Sequence, residues 1–216
     1  MGNAPPKMHV TTDAVAVNCL PREGLRIALI QRRNEPFRGF SALPGGFVEL
    51  DEDLPQACAR ELHEETGLRP SAMVQVGAWG DPGRDPRGRT VSVVYLAVVR
   101  AGEDSAIAGD DAAAVSWHAA NALPPLAFDH ETIISTAIAR LKVLVMSTHL
   151  ALAFLPDHFH AADLQAGLLA LVPPAAAQHV RRRLLASLGV APGGEGLLRC
   201  TQAGYLNPLE GGEPGG

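Results

Sequence analysis

The stretch GGFVELDEDLPQACARELHEETGL, Gly45 to Leu68, decides how the rest of the chain is read. Its centre has the marks of a helix. Asp51 or Asp53 can cap the start, Pro55 suits the first turn, and Gly67 with Pro70 shortly after ends it. Yet the last turns carry Glu61, Glu64 and Glu65 together. Like charges three and four apart repel on a helix, and carboxylates sit badly at the negative end of the helix dipole. A segment that breaks two local rules at once points to a functional reason.

On a wheel turning about 100° per residue with Glu61 at zero, Leu54, Ala57 and Cys58 fall within roughly 60° and Glu65 at about 40°. The side that begins apolar therefore ends in carboxylates. Arg60, His63 and Gln56 take the opposite, solvated side, and Glu64 sits at the border. Bare carboxylates beside a core are costly without compensation. A divalent cation supplies it, because hard cations such as Mg2+ take oxygen ligands, commonly one or two carboxylates plus substrate phosphates. The plainer alternative is a solvated acidic face paired with Arg60 and Arg69.

The whole chain suits that reading. At 216 residues, 47% hydrophobic and 19% charged, it has material for one medium domain and a short one. The net charge of -5 argues against a wholesale nucleic-acid binder. Cys19, Cys58 and Cys200 show neither a metal spacing nor a disulfide framework, so reduced thiols in a cytoplasmic protein are expected. MGNAPPKMHV lacks the apolar region of a signal peptide. The apolar run from Leu141 to Leu155 is too short and too interrupted to span a bilayer, so no membrane partner is expected.

Alternation and β-branching predict strands at Thr12–Leu20, Leu25–Gln31, Ala72–Ala78, Thr90–Val99 and Ala113–His118. Asp129 to Val145 has the spacing of an amphipathic helix. Strands with interspersed helices predict an α/β or α+β layered domain ending near Ser147. The remainder changes character: helices over Phe159–Val172 and Ala175–Leu188, a break at Pro173-Pro174, then a hairpin over Leu197–Leu206. The expected organisation is 1–147, 148–210 in a winged-helix outline, and a disordered tail at 211–216.

Gly46, five residues, Glu52, seven residues, Arg60-Glu61-Leu62, one residue, Glu64-Glu65, one residue, Gly67-Leu68: this pattern resembles the Nudix box at every specified position. The resemblance covers about residues 10 to 147. It implies a mixed sheet sandwiched between helices and hydrolysis of nucleoside diphosphates linked to another moiety. It further implies that Glu61 and Glu65 are the main Mg2+ ligands (Mn2+ is an alternative), with Glu64 joining directly or through water and the Gly45 carbonyl as a further ligand. By the same resemblance Glu52 and Arg60 pair to hold the loop and helix in shape, and Gly46 and Gly67 are structural. The general base is a box glutamate or an acid from a later loop, for which Asp110 and Asp111 are candidates. A homodimer is implied too.

Arg33 and the loop GDPGRDPRGR, with Arg84, Arg87 and Arg89, offer guanidinium forks that match phosphate oxygens. The loop resembles the segment of bacterial Nudix proteins that handle ADP-ribose, which makes ADP-ribose the expected substrate, cleaved to AMP and ribose 5-phosphate. Phe37, Phe40 or Trp79 could stack on adenine or belong to the core. His130, in FDHE at a helix start, could cap its helix or touch ligand, and capping or surface exposure is the expected role. A Nudix domain followed by this tail also resembles the Nudix-related regulators of NAD biosynthesis, which bind DNA and sense ADP-ribose. There Arg181, Arg182 and Arg183 would contact DNA. Against this, residues from Thr148 onward carry four Arg or Lys and five Asp or Glu, a poor balance for phosphate contact.

Overall fold

The first β-branched run forms β1 (His9–Leu20), and the second forms β2 (Gly24–Gln31) antiparallel to it, with Val17 opposite Ile27. The computed structural model describes residues 7–20, 23–100, 102–103, 115–187 and 197–199. It continues with β3 (Ser41–Ala42), β4 (Gly45–Phe47), α1 (Leu54–Thr66), β5 (Ala72–Trp79), β6 (Thr90–Val98), β7 (Val115–Ala119) and α2 (His130–Ser147). The sheet runs β3-β2-β1-β6-β5, with β4 beside the first half of β1 and β7 beside β2. β1 and β6 are parallel from His9 opposite Thr90 to Val17 opposite Val98; the other pairs are antiparallel.

Side chains on a strand alternate between faces, and β1 uses both. Ala14 and Ala16 pack with Cys58 and Leu62 of α1. Val15 and Val17 pack with Ile133, Ile134 and Leu141 of α2. The mixed sheet is therefore sandwiched between helices, as the family resemblance implies. The β1 side chains facing α1 are small alanines, which lets that helix approach the sheet closely.

Of the two capping residues the sequence offers, Asp53 takes the position. Its side chain accepts the Gln56 N–H at 3.0 Å, and the Gln56 side chain accepts the Asp53 N–H at 3.2 Å, which satisfies two first-turn donors reciprocally. Gly67 closes the helix with φ of 70° and donates to the His63 carbonyl at 2.7 Å. That left-handed turn favours glycine.

Beyond α2 the chain forms a short 3-10 helix (Leu150–Phe154), β8 (His158–His160), α3 (Ala161–Leu171), α4 (Pro174–Ser187) and β9 (Leu197–Arg199). Phe159, expected to open a helix, is instead a buried strand residue opposite Leu198. β9 pairs with β8, a strand remote in sequence; the second half of the expected hairpin lies outside the described residues. Leu164, Leu168, Val180 and Leu184 of the two helices join the same apolar cluster as Val15 and Val17. Polar ties reinforce the junction. Ser71 Oγ donates to the Ala153 carbonyl at 2.7 Å, Arg100 pairs with Asp157 at 2.9 Å, and Arg183 donates to the Thr148 carbonyl. Among the described residues no helix is long and apolar enough to cross a membrane.

Candidate active site

The sharp approach of β4 to β1 and α1 builds the first wall of the site. A methyl group at Gly46 would lie 2.4 Å from the Glu61 carboxyl, and one at Gly45 would lie 2.1 Å from the Thr12 carbonyl oxygen. Only glycines tolerate such contacts. The Gly45 N–H donates to Glu65 Oε2 at 2.9 Å. Burial raises the pKa of both carboxyls. Glu65 is pushed up to about 7 by desolvation against the lowering Gly45 hydrogen bond, with Glu61 and Asp13 adding to the rise. Glu61 is raised by desolvation against its hydrogen bond with Arg60.

Arg60 holds this wall together. Its guanidinium grips Glu52 with two bonds, 2.9 and 2.7 Å, reaches Glu61 at 2.8 Å and the exposed Glu64 at 3.1 Å, and donates to the Phe47 carbonyl at 3.2 Å. The wheel put Arg60 on a solvated side. Its long side chain instead reaches around the helix, and Arg60 is half-buried. Arg69 lies 3.2 Å from His63 rather than on the acidic face.

The opposite wall is cationic, and two separate segments supply its arginines. Arg32 follows β2, donates to the Pro36 carbonyl at 2.8 Å, and lies 4.7 Å from the centre of the Phe128 ring. Arg87 lies 5.6 Å from the same ring and is held bidentately by the buried Asp85, with contacts of 3.0 and 2.7 Å. Arg84 is bidentate on Asp129 at 2.9 and 2.7 Å. Phe37 packs edge-on to Phe128 at 4.8 Å. Both phenylalanines hold positive φ, 66° and 54°, a strained conformation of the kind that clusters at ligand sites.

The two walls enclose a cavity of about 470 Å³. Of the residues singled out from sequence, Gly45, Gly46, Glu61, Glu65, Arg84 and Arg87 line it. Glu64, Arg33, Phe37 and Arg89 are not among its lining residues; Arg89 is exposed and donates to the Gly80 carbonyl. Asp110 and Asp111 lie outside the described residues. Trp79 packs against the core.

Asp13, Arg32, Asp85 and Phe128 also line the cavity, and sequence reasoning passed over them. Asp13 carried a signal, an acid inside the apolar run TDAVAVNCL. His130 is neither a cap nor exposed. It is 3% exposed and lines the cavity, and its Nδ1 accepts the Leu43 N–H at 2.9 Å. Burial lowers its pKa, so the imidazole is neutral at pH 7. Asp13 accepts a hydrogen bond from Ser92 Oγ and stands 3.8 Å from Arg84 and 4.0 Å from His130 Nε2.

A family model described as NUDIX domain matches residues 11–138. The chain is 48% identical over 121 residues to an ADP-ribose pyrophosphatase of Methanocaldococcus jannaschii, covering 56% of this chain and 70% of that protein. It is 37% identical over 164 residues to the ADPR responsive transcriptional repressor NtrR of Acinetobacter baylyi, covering 74% of this chain and 65% of that protein, just under two thirds of its length. The crystal structure of Shewanella oneidensis NrtR complexed with a 27mer DNA superposes with a TM-score of 0.74 at 30% identity, covering 88% of this chain and 92% of that one.

Proposed function

This chain belongs to the Nudix hydrolase family, and on that premise we propose that it hydrolyses the diphosphate bond of a nucleoside diphosphate derivative, ADP-ribose foremost, to AMP and ribose 5-phosphate. The observation that carries the reading is one cavity with two partly buried carboxyls of raised pKa on one wall and three guanidiniums on the other. A diphosphate ester needs both: guanidiniums to fix its oxygens, and oxygen ligands for a cation.

The residues fit a hard divalent cation, Mg2+ or Mn2+. Glu61, Glu65 and the Gly45 carbonyl would hold it, with Glu64 joining through water. The donors are all oxygen, and burial without a neutralising partner is what raises the Glu65 carboxyl. Among the described residues no three His, Cys, Asp or Glu side chains form a complete cage, which suits a cation that keeps waters and shares substrate phosphates. When bound, such an ion neutralises phosphate oxygens and lowers the pKa of a water. Glu52 and Arg60 keep the glutamates in register. Arg32 and Arg87 orient the diphosphate, and Arg84 anchors the loop that carries Arg87. The proton acceptor is a box glutamate or one of Asp110 and Asp111. The buried thiols of Cys19 and Cys58 are free, in keeping with a cytoplasmic protein, and the family resemblance supports a homodimer.

A second reading has its own support: the likeness to the ADPR responsive repressor and to the DNA-bound regulator covers 74% and 88% of this chain, more than residues 1–147 hold. In it, residues 148–210 act as a winged-helix DNA-binding unit governed by ADP-ribose. Arg182 on α4 is exposed, while Arg183 is drawn to the Val145 and Thr148 carbonyls.

Incubation with Mg2+ and ADP-ribose, NADH, ADP-glucose and nucleoside triphosphates, reading AMP, tests the first reading. AMP release from ADP-ribose, abolished by chelation, is the expected result. A gel shift on the upstream DNA of its own gene, with and without ADP-ribose, tests the second.

A further inference from the structure

His130 sits at the first residue of α2, a position that in most helices faces water, yet it is almost wholly buried. The Leu43 N–H donates to its Nδ1, so that nitrogen is an acceptor and the ring proton resides on Nε2. Among the described residues Nε2–H has no hydrogen-bond acceptor. The Asp13 oxygen facing it is 4.0 Å away, beyond hydrogen-bond reach. Asp13 is itself 8% exposed, held by Ser92 through its other oxygen. Both side chains line the cavity. A donor and an acceptor thus stand side by side at the substrate, close but not bonded to each other.

That pair discriminates among ligand groups. A phosphate oxygen only accepts, and it would face the Asp13 carboxylate. A hydroxyl both donates and accepts. An oxygen about 3 Å from each atom bridges a 4.0 Å gap from a point about 2 Å off the line between them. The first-turn N–H groups of α2 favour oxygen atoms at the same end.

We propose that His130 Nε2–H and the Asp13 carboxylate bind a hydroxyl of the sugar attached to the diphosphate, so that this site selects a polyhydroxylated leaving moiety. The inference rests on the reading of the cavity as a nucleoside diphosphate site. It adds a specificity-determining pair that is remote from the glutamate motif in sequence.

The test compares two substrates, ADP-ribose and the ethyl ester of ADP, which lacks the second sugar, in the full-length protein with Mg2+. The wild type should prefer ADP-ribose in kcat/KM on the order of tenfold to hundredfold, since a site built for a hydroxyl leaves its polar groups unpaired with the ethyl ester. His130→Asn keeps an amide oxygen where Leu43 N–H donates but removes the reach of Nε2. In it the preference should fall to about threefold or less. Asp13→Asn, which preserves shape, should reduce the preference in the same direction should the first variant fold poorly. If turnover is absent, the ratio of affinities for the two esters, by calorimetry, reports the same selection. A wild type without preference, its gap holding water only, overturns the proposal. So does a loss in His130→Asn that is equal for both esters. If the wild type neither binds nor cleaves either ester, the parent reading falls with it. Cleavage of ADP-ribose with an unaltered preference in both variants sinks this inference alone.

Discussion

The two walls of the cavity are built in opposite ways. The carboxylate wall comes from one continuous segment: Glu61 and Glu65 are a helical turn apart on α1, and Gly45 and Gly46 lie just upstream. Arg60 already pairs with Glu61, whereas Glu65 accepts from the Gly45 N–H without an ion pair, and burial raises both carboxyls. The cationic wall gathers Arg32 from the end of β2 and Arg84 with Arg87 from the loop before β6, and the last two are already gripped by aspartates. One wall stores unmet charge for an incoming cation. The other has met most of its charge and spends it on holding a loop in place.

Breaking the first wall has the largest expected effect. Glu65→Gln should lower AMP release by about three orders of magnitude, an electrostatic loss of roughly 4 kcal/mol of the size seen when one transition-state contact is removed. Without divalent cation the same variant should be no less stable than the wild type near pH 8. The sign follows from proton counting. The folded carboxyl is raised to about 7 from the ordinary carboxyl value of 4.5, so between these values the folded state binds more protons and stability falls as pH rises. The change amounts to on the order of 2–3 kcal/mol. Thermal melts of metal-free protein from pH 4 to pH 8 should show that slope in the wild type and a shallower one in the variant, where Glu61 remains raised.

The second wall should respond in stability rather than turnover. Arg84→Ala removes a buried bidentate partner and leaves Asp129 and Asp13 facing each other, at a cost of about 3–5 kcal/mol, measurable by urea denaturation. If stability holds while KM alone rises, Arg84 is a substrate ligand and not a loop anchor. Arg32→Ala should do the reverse, raising KM for ADP-ribose about tenfold, or about 1.4 kcal/mol, with little change in melting temperature. Arg89→Ala is expected to stay within about 0.5 kcal/mol in stability, because exposed substitutions away from such networks rarely do more, and to leave KM within about twofold.

Legibility followed the same division. The helix, its cap choices, its αL stop and the convergence of Glu61 and Glu65 were readable because helical periodicity is a local rule. The pairing of β9 with β8 across two helices was not legible, because nothing local in the sequence joins strands that far apart. Arg33 rather than Arg32 drew attention because sequence does not state which neighbour at a strand end turns inward. His130 looked like a cap, since only the packing of α2 against Leu43 and Asp13 reveals its burial.

The sequence by itself determined the acidic segment and the motif that carries the family resemblance, because both rest on short spacings along the chain, and the resemblance implied the sandwich of helices about a mixed sheet. Only the tertiary structure decided which cations face that segment, that Asp13 and His130 stand beside it unbonded, and that the tail shares its apolar cluster with the sheet. Those are contacts between segments dozens of residues apart, and their geometry is set by how whole elements pack rather than by any neighbour in the chain.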